Sequence, residues 1–61
     1  MKRIEIIVCD DHPLIAQGLS SFIGQKEDLI IVATATTARE LRETLAITSA
    51  DILLLDINLP D

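Results

Sequence analysis

The sequence predicts an α/β fold, because three short apolar strands alternate with two amphipathic helices along the chain. The strand-length apolar runs lie at 4–9, 29–33 and 52–55, and helical periodicity fills 13–23 and 38–47. This β-α-β-α-β order is typical of a parallel sheet, in which a helical crossover joins each pair of strands. Crossovers are right-handed in nearly all cases, so few topologies are possible. We expect the strand order 2-1-3, which places the two helices on opposite faces of the sheet.

The last strand is the element that most strongly indicates this fold. Ile52–Leu55 is a run of apolar residues without charge or alternation, as in a strand that helices cover on both faces. Pro60 disfavours a helix through Leu59, so the run is interpreted as a buried parallel strand. Asp56 follows the strand directly, at the edge of the sheet where open α/β folds bind their ligands.

The first strand ends in the same way. Ile6–Cys9 is a second apolar run, and it leads directly into Asp10 and Asp11. In the order 2-1-3 this strand lies beside the last one, so Asp10, Asp11 and Asp56 are expected to converge at one edge of the sheet. Cys9 itself is interpreted as a small buried hydrophobe rather than as a redox thiol.

The first helix is predicted to begin at Pro13, because proline is favoured at the first helical position. His12 is interpreted as a residue of the helix N-terminus at the rim of the site, without a catalytic role. Gly24 is expected to adopt the left-handed conformation that ends many helices. Four apolar residues form one stripe of this helix, with Phe22 assigned to the core: Ile15, Leu19, Phe22 and Ile23.

The second crossover carries a helix-start motif. Leu29–Ala33 is dominated by β-branched residues and is predicted to be a strand. Thr37 and Glu40 have the spacing of a capping box, in which each side chain satisfies the backbone N–H of the other residue. The inward face of the helix that follows is expected to comprise Ala38, Leu41 and Leu45.

Length and composition limit the class of protein. The chain has 61 residues, five of them basic and ten acidic, and a formal net charge of −5. We expect one domain over 1–61 with a marginal core, since so short a chain buries only about 60% of its unfolded surface. The acidic balance argues against nucleic-acid contacts by these residues. No apolar stretch approaches the roughly 18 residues of a membrane span. One cysteine suits the reducing cytoplasm.

Three converging carboxylates favour a cation site. Like charges close together raise the free energy of ionising all of them, and a hard divalent cation offsets that repulsion. Mg²⁺ prefers oxygen ligands and is typically held by one or two carboxylates together with phosphate oxygens. An aspartate beside such a metal can also act as a nucleophile and form an acyl phosphate. Asp56 is the candidate for both roles.

These motifs resemble those of a known family. The Asp-Asp-His-Pro run at 10–13, together with Leu-Leu-Asp-x-x-Leu-Pro around Asp56, is similar to the receiver domain of two-component response regulators, which has a flavodoxin-like fold. The Asp-His-Pro-Leu sequence, with Gly18 and Leu19 after it, most resembles the subfamily that carries a C-terminal helix-turn-helix output domain of the LuxR type. Each motif alone is weak, but the two at the ends of the right strands are specific.

The resemblance implies a site and a function. Asp56 would be the phosphoacceptor, with a histidine kinase as the phosphoryl donor. Mg²⁺ would be bound by Asp11 directly, by Asp10 largely through water, by Asp56, and by the backbone carbonyl of Asn58. The phosphorylated receiver would relay its signal to a DNA-binding output domain outside this chain. Any catalysis would be self-phosphorylation or dephosphorylation at Asp56.

The resemblance covers the whole chain, but only the N-terminal half of a receiver, with three strands and two helices. The family's phosphoryl-contacting serine or threonine and its lysine on the last strand would lie beyond Asp61, so we expect this chain alone to be inactive. The strand at 52–55 would then present an unpaired apolar edge, which favours pairing with another chain. Self-association through this strand is expected, unless further residues of the protein cover it.

Two other functions fit parts of the sequence. A degenerate receiver would serve only in protein association, although the intact set of Asp10, Asp11 and Asp56 argues against it. An aspartyl-phosphate hydrolase of the haloacid-dehalogenase type would need Asp-x-Asp after the first strand, which 10–12 does not supply. Taken singly, Asp56 fits a turn or helix cap and Asp11 a cap of the first helix. The assignment therefore depends on the three aspartates together.

Overall fold

The computed structural model describes residues 2–56 and contains a three-stranded parallel sheet with two helices. Strands β1 (Ile4–Cys9), β2 (Leu29–Ala35) and β3 (Ile52–Leu55) alternate with helices α1 (Pro13–Gly24) and α2 (Ala38–Ile47). The sheet order is β2-β1-β3 and both pairings are parallel, so the predicted α/β class and 2-1-3 order are confirmed. Neither helix in this described part has the length and apolar content that crossing a bilayer requires.

β1 lies at the centre of the sheet and is its best-buried strand. Because side chains alternate along a strand, Ile6 and Val8 face α1, where Ile23 packs against them. Cys9 faces the other way, and its Sγ lies 3.8 Å from the carbonyl oxygen of Thr37, the residue that begins α2. The two helices therefore lie on opposite faces of β1. Four consecutive residues of this strand are at most 4% exposed: Ile6, Ile7, Val8 and Cys9.

Hydrogen bonds at both ends hold β3 in register with β1. At the start, Asp51 N donates to Glu5 O at 2.8 Å, and Glu5 N donates to Asp51 Oδ2 at 2.9 Å. At the end, Asp56 N donates to Cys9 O at 2.9 Å. The carboxyl ends of the two strands are therefore level, which brings Asp10 and Asp56 to the same edge of the sheet.

β3 is an edge strand rather than the strand covered on both faces that its apolar run indicated. Its four residues are 36–53% exposed. Among the described strands, none pairs with its outer edge, and both helices pack mainly against β2. The apolar run predicts a strand whose side chains favour burial. Whether they are buried depends on the strands and helices that pack against β3. Within residues 2–56, β3 therefore presents the unpaired apolar edge that the sequence also predicted.

α1 buries a narrower stripe than the sequence predicted. Ile23 is 5% exposed and Leu19 packs against the same cluster, but Ile15 is 52% and Phe22 58% exposed. Ile15 borders an open groove beside β3, because α1 packs towards β2. The assignment of Phe22 to the core is wrong. Its ring lies under the Lys26 ammonium group, with Nζ 4.7 Å from the ring centroid.

The C-terminus of α1 also differs from the prediction. Gly24 does not adopt the left-handed conformation, and no residue in the described range 2–56 has a positive φ. The helix ends instead with hydrogen bonds from Gln25 N to Phe22 O at 3.2 Å and from Lys26 N to Ile23 O at 3.0 Å. Bonds of this i to i−3 type tighten the last turn while keeping it right-handed, so glycine is not required there.

The N-terminus of α2 confirms half of the predicted capping box. Glu40 N donates to Thr37 Oγ1 at 3.1 Å, as the motif requires. The Glu40 carboxylate does not reach back to Thr37 N but accepts from Thr36, from its backbone N–H at 2.7 Å and its hydroxyl at 2.8 Å. Both hydrogen bonds lower the pKa of Glu40, and the bond from the backbone N–H of Thr36 has the larger effect.

Candidate metal centre

Three carboxylates and one imidazole meet at the carboxyl edge of the sheet. Asp10 follows β1, Asp11 and His12 form the turn into α1, and Asp56 follows β3. Each residue offers one ligand atom, and these atoms all lie within 4.8 Å of one another. The three aspartates that the sequence predicted to converge are therefore together. Asn58, the fourth predicted ligand, lies outside the described residues.

Backbone hydrogen bonds fix the positions of two of the aspartates. Asp10 N donates to Ala35 O of β2 at 3.0 Å, and Asp56 N donates to Cys9 O at 2.9 Å. Each aspartate thus continues the hydrogen-bond ladder of the sheet by one position. The side chains of Asp10 and Asp56 are 14% and 15% exposed, whereas that of Asp11 is 35% exposed. Asp10 and Asp56 are therefore largely shielded from solvent, and Asp11 is the most accessible of the three carboxylates.

The His12 ring lies among these carboxylates. Its Nδ1 is 2.9 Å from Asp10 Oδ1, 3.0 Å from Asp11 Oδ1 and 3.4 Å from Asp56 Oδ2. The backbone N–H of His12 also donates to Asp10 Oδ1 at 2.8 Å, which closes an Asx-turn. The side chain is 62% exposed, so most of the ring remains accessible to solvent.

The imidazole and the carboxylates shift each other's pKa. Hydrogen bonds from the backbone N–H and then the ring of His12 hold the pKa of Asp10 below its ordinary value. The hydrogen bond to Asp10, followed by the charge of Asp11, raises the pKa of His12. Burial, followed by the negative charge of Glu40, raises the pKa of the Cys9 thiol, so this thiol stays protonated. A protonated His12 offsets part of the negative charge of the cluster.

His12 lies at the N-terminus of α1 and at the rim of the site, as predicted, because it is the N-cap residue and its ring is 62% exposed. The contacts of its ring with three carboxylates were not predicted. The residues next to His12 in the sequence explain where its ring lies. An aspartate often accepts a hydrogen bond from the backbone N–H two residues later, and Asp10 and His12 have that spacing. Pro13 then begins α1, which fixes where the chain leaves the turn. Together these features bring one edge of the exposed imidazole into contact with the carboxylates.

The donor set fits a divalent cation. Asp10, Asp11 and Asp56 supply carboxylate oxygens, the ligands that Mg²⁺ prefers. An octahedral Mg²⁺ ion with ligands at about 2.1 Å spans about 4.2 Å between opposite ligands. Atoms within 4.8 Å of one another therefore need only small shifts to share one ion.

Comparison with known proteins identifies the family. The family model for the response regulator receiver domain matches residues 6–61. The chain belongs to the response regulator receiver domain family. The family inferred from the two aspartate motifs is therefore confirmed.

Bacterial regulatory proteins are similar to this chain in sequence. The transcriptional regulatory protein LnrK of Bacillus subtilis is 37% identical over 57 residues, which are 93% of this chain and 26% of LnrK. The oxygen regulatory protein NreC of Staphylococcus epidermidis is 32% identical over 57 residues, again 93% of this chain and 26% of the relative. The receiver chain thus spans about a quarter of the length of the relatives that it matches.

Solved structures of the response regulator RcsB share the receiver fold. RcsB of Salmonella typhimurium matches with a TM-score of 0.92 and 26% identity, covering 100% of this chain and 30% of RcsB. RcsB of Salmonella enterica serovar Typhimurium, bound to the promoter rprA with the phosphomimetic BeF3−, matches with a TM-score of 0.89 and 26% identity. That second match covers 95% of this chain and 29% of RcsB.

Proposed function

We propose that this chain is the phosphoacceptor module of a cytoplasmic two-component response regulator. Asp56 accepts a phosphoryl group from a histidine kinase in the presence of Mg²⁺. The phosphorylated receiver then relays the signal to a DNA-binding output domain of the helix-turn-helix type. The observation that carries the proposal is the convergence of Asp10, Asp11 and Asp56 at one edge of the sheet. Membership of the receiver family supports the same chemistry.

Asp56 has the placement that a nucleophile needs. Its backbone N–H is held by Cys9 O, and its side chain is sheltered but 15% exposed, so it is both fixed and reachable. In the transfer, a carboxylate oxygen attacks the phosphorus atom and the bond from phosphorus to the kinase imidazole breaks. The imidazole leaves with the electron pair of that bond and takes up a proton. The product on Asp56 is an acyl phosphate.

The carboxylates of the cluster, Asp56 included, would also hold the metal ion. Asp10, Asp11 and Asp56 would bind Mg²⁺, together with the backbone carbonyl of Asn58 that the family resemblance implies. When bound, the ion supplies positive charge that offsets the charge of the phosphoryl oxygens. In its absence, Asp10 and Asp11 repel an incoming phosphoryl group, and His12 offsets only part of that repulsion.

Labelling by a small phosphodonor tests this function. The full-length protein incubated with acetyl phosphate and Mg²⁺ is expected to gain one phosphoryl group, measured by intact mass. The substitution Asp56→Asn removes the attacking oxygen and should abolish labelling, as should chelation of the metal ion. Glu43→Gln, an exposed carboxylate change on α2, is the matched control and should label normally. Labelling that persists in Asp56→Asn would refute the assignment of Asp56.

We also propose that the chain alone self-associates through β3. The strand presents apolar side chains that are 36–53% exposed, and within residues 2–56 its outer edge has no partner strand. A second copy adding a strand there would satisfy the backbone groups of the edge and cover its side chains. A segment outside these residues that pairs with β3 would replace this contact.

A further inference from the structure

We infer that an extra residue in β2, Val32, keeps the outer edge of this strand from pairing with another chain. β2 is the second edge of the sheet, because the strand order is β2-β1-β3. Within residues 2–56 no strand pairs with its outer side. The sheet therefore has two free edges, and the structure treats them differently.

The register between β1 and β2 shows where the extra residue lies. Ile6 pairs with Ile31 and Ile7 pairs with Ala33, so Val32 has no counterpart in β1. An extra residue of this kind is a β-bulge, which disrupts the regular ladder and increases the local twist of the strand. The bulge lies in the middle of β2, with three paired residues on each side of it.

Without this bulge, β2 would be prone to pairing. Its residues from Leu29 to Ala33 form a continuous apolar run, and the whole strand contains no charge, proline or glycine. Uninterrupted segments of this kind at the edge of a sheet recruit strands from other chains. Natural edge strands avoid such pairing with charged residues, proline or bulges. The bulge is therefore the one such feature within β2 itself.

The opposite edge of the sheet has no such interruption. β3 pairs with β1 over four consecutive positions, from Ile52 beside Ile6 to Leu55 beside Cys9, without a register shift. Its side chains are also more exposed than most of those in β2, because both helices pack mainly against β2. A regular, open edge accepts a further strand, whereas an interrupted edge does not. Extension of this sheet is thereby confined to β3.

Deletion of Val32 tests the inference with little disturbance of the sheet. Every pair in the register keeps its partner, because Ile31 and Ala33 become neighbours, as their partners in β1 already are. The deletion is made in the 61-residue chain that also carries Leu53→Lys, which weakens pairing at β3. This double variant is expected to associate at least about tenfold more tightly than Leu53→Lys alone, measured by sedimentation velocity at micromolar concentration.

Two charge substitutions show which edge is responsible for the gain. Thr34→Lys places a charge at an exposed position of β2 and should abolish the association gained by the deletion. Ile47→Lys is the matched control and should retain the gain, because Ile47 is 87% exposed at the end of α2. Circular dichroism verifies that each variant is folded. The inference is overturned if the folded deletion variant gains no association, or if the gain survives Thr34→Lys.

A comparison that keeps Val32 decides the question if the deletion variant does not fold. Adding Thr34→Lys to Leu53→Lys should leave sedimentation unchanged, because β2 does not pair. A further loss of association in that double variant would show that β2 pairs despite the bulge, and would overturn the inference. The proposed association at β3 fails separately, since an unmodified chain that is monomeric refutes it without affecting either comparison.

Discussion

At the scale of single residues, the hydrogen bond between His12 and Asp10 governs how both groups titrate. The pKa of Asp10 is lowered, so its contribution to stability is present above its ordinary value of about 3.9 and is lost as pH falls through the folded value. The pKa of His12 is raised, so its contribution is full below about 6.5 and is lost as pH rises through the folded value. The pair therefore stabilises the fold most between about pH 4 and 6.5.

The neighbouring carboxylates determine the pH at which the His12 ring titrates. In metal-free buffer its ring is expected to titrate above the ordinary midpoint of about 6.5. Asp10→Asn should lower that midpoint, because the substitution removes the negative charge. The amide oxygen of asparagine still accepts the hydrogen bond from His12 N that forms the turn. Asp11→Asn should lower it as well, and Glu43→Gln should leave it unchanged. NMR of the ring protons against pH measures each midpoint. A wild-type midpoint at or below about 6.5 would contradict the coupling.

At the scale of elements, the N-terminus of α2 depends on Thr37. Its hydroxyl accepts the N–H of Glu40, one of the groups that a helix leaves unpaired at its start. Thr37→Ala should lower the free energy of unfolding by about 1 kcal/mol, measured by urea denaturation. Thr48→Ala, at the other end of α2, is the matched control, because within residues 2–56 the Thr48 side chain makes no hydrogen bond. Equal losses in the two variants would show that the cap is not the cause.

Helices and strands could be predicted from the sequence wherever neighbouring residues determine where the element begins or ends. The apolar run of β1, the proline that begins α1 and the threonine that caps α2 each have a local physical cause, and each lies where it was predicted. The convergence of Asp10 and Asp56 followed from strand order alone.

Features that depend on distant neighbours could not be predicted in this way. Phe22 lies on the apolar stripe of α1 but is 58% exposed, because burial depends on where the helix sits over the sheet. The burial of β3 likewise depends on a neighbour that an apolar run does not specify. His12 is the main omission at the site. Its spacing from Asp10 was visible, but its distance from Asp56 requires two segments far apart in the sequence to meet.

At the scale of the whole molecule, the described residues bury few apolar side chains and expose many. Such a balance is typical of a surface that another chain or segment covers. Six apolar residues are buried: Ile6, Ile7, Val8, Cys9, Ile23 and Ala35. Ten large apolar residues are exposed, and four of these form β3.

The 61-residue chain is expected to associate with itself through β3. Sedimentation velocity at micromolar concentration should show a dimer or larger species. Leu53→Lys places a charge in the middle of the edge and removes an apolar contact worth about 1.5–3 kcal/mol, so association should weaken by about tenfold or more. Ile47→Lys is the control, because Ile47 is 87% exposed at the end of α2. Circular dichroism verifies that both variants are folded. A folded wild-type chain that sediments as a monomer would rule out this edge as a self-association surface.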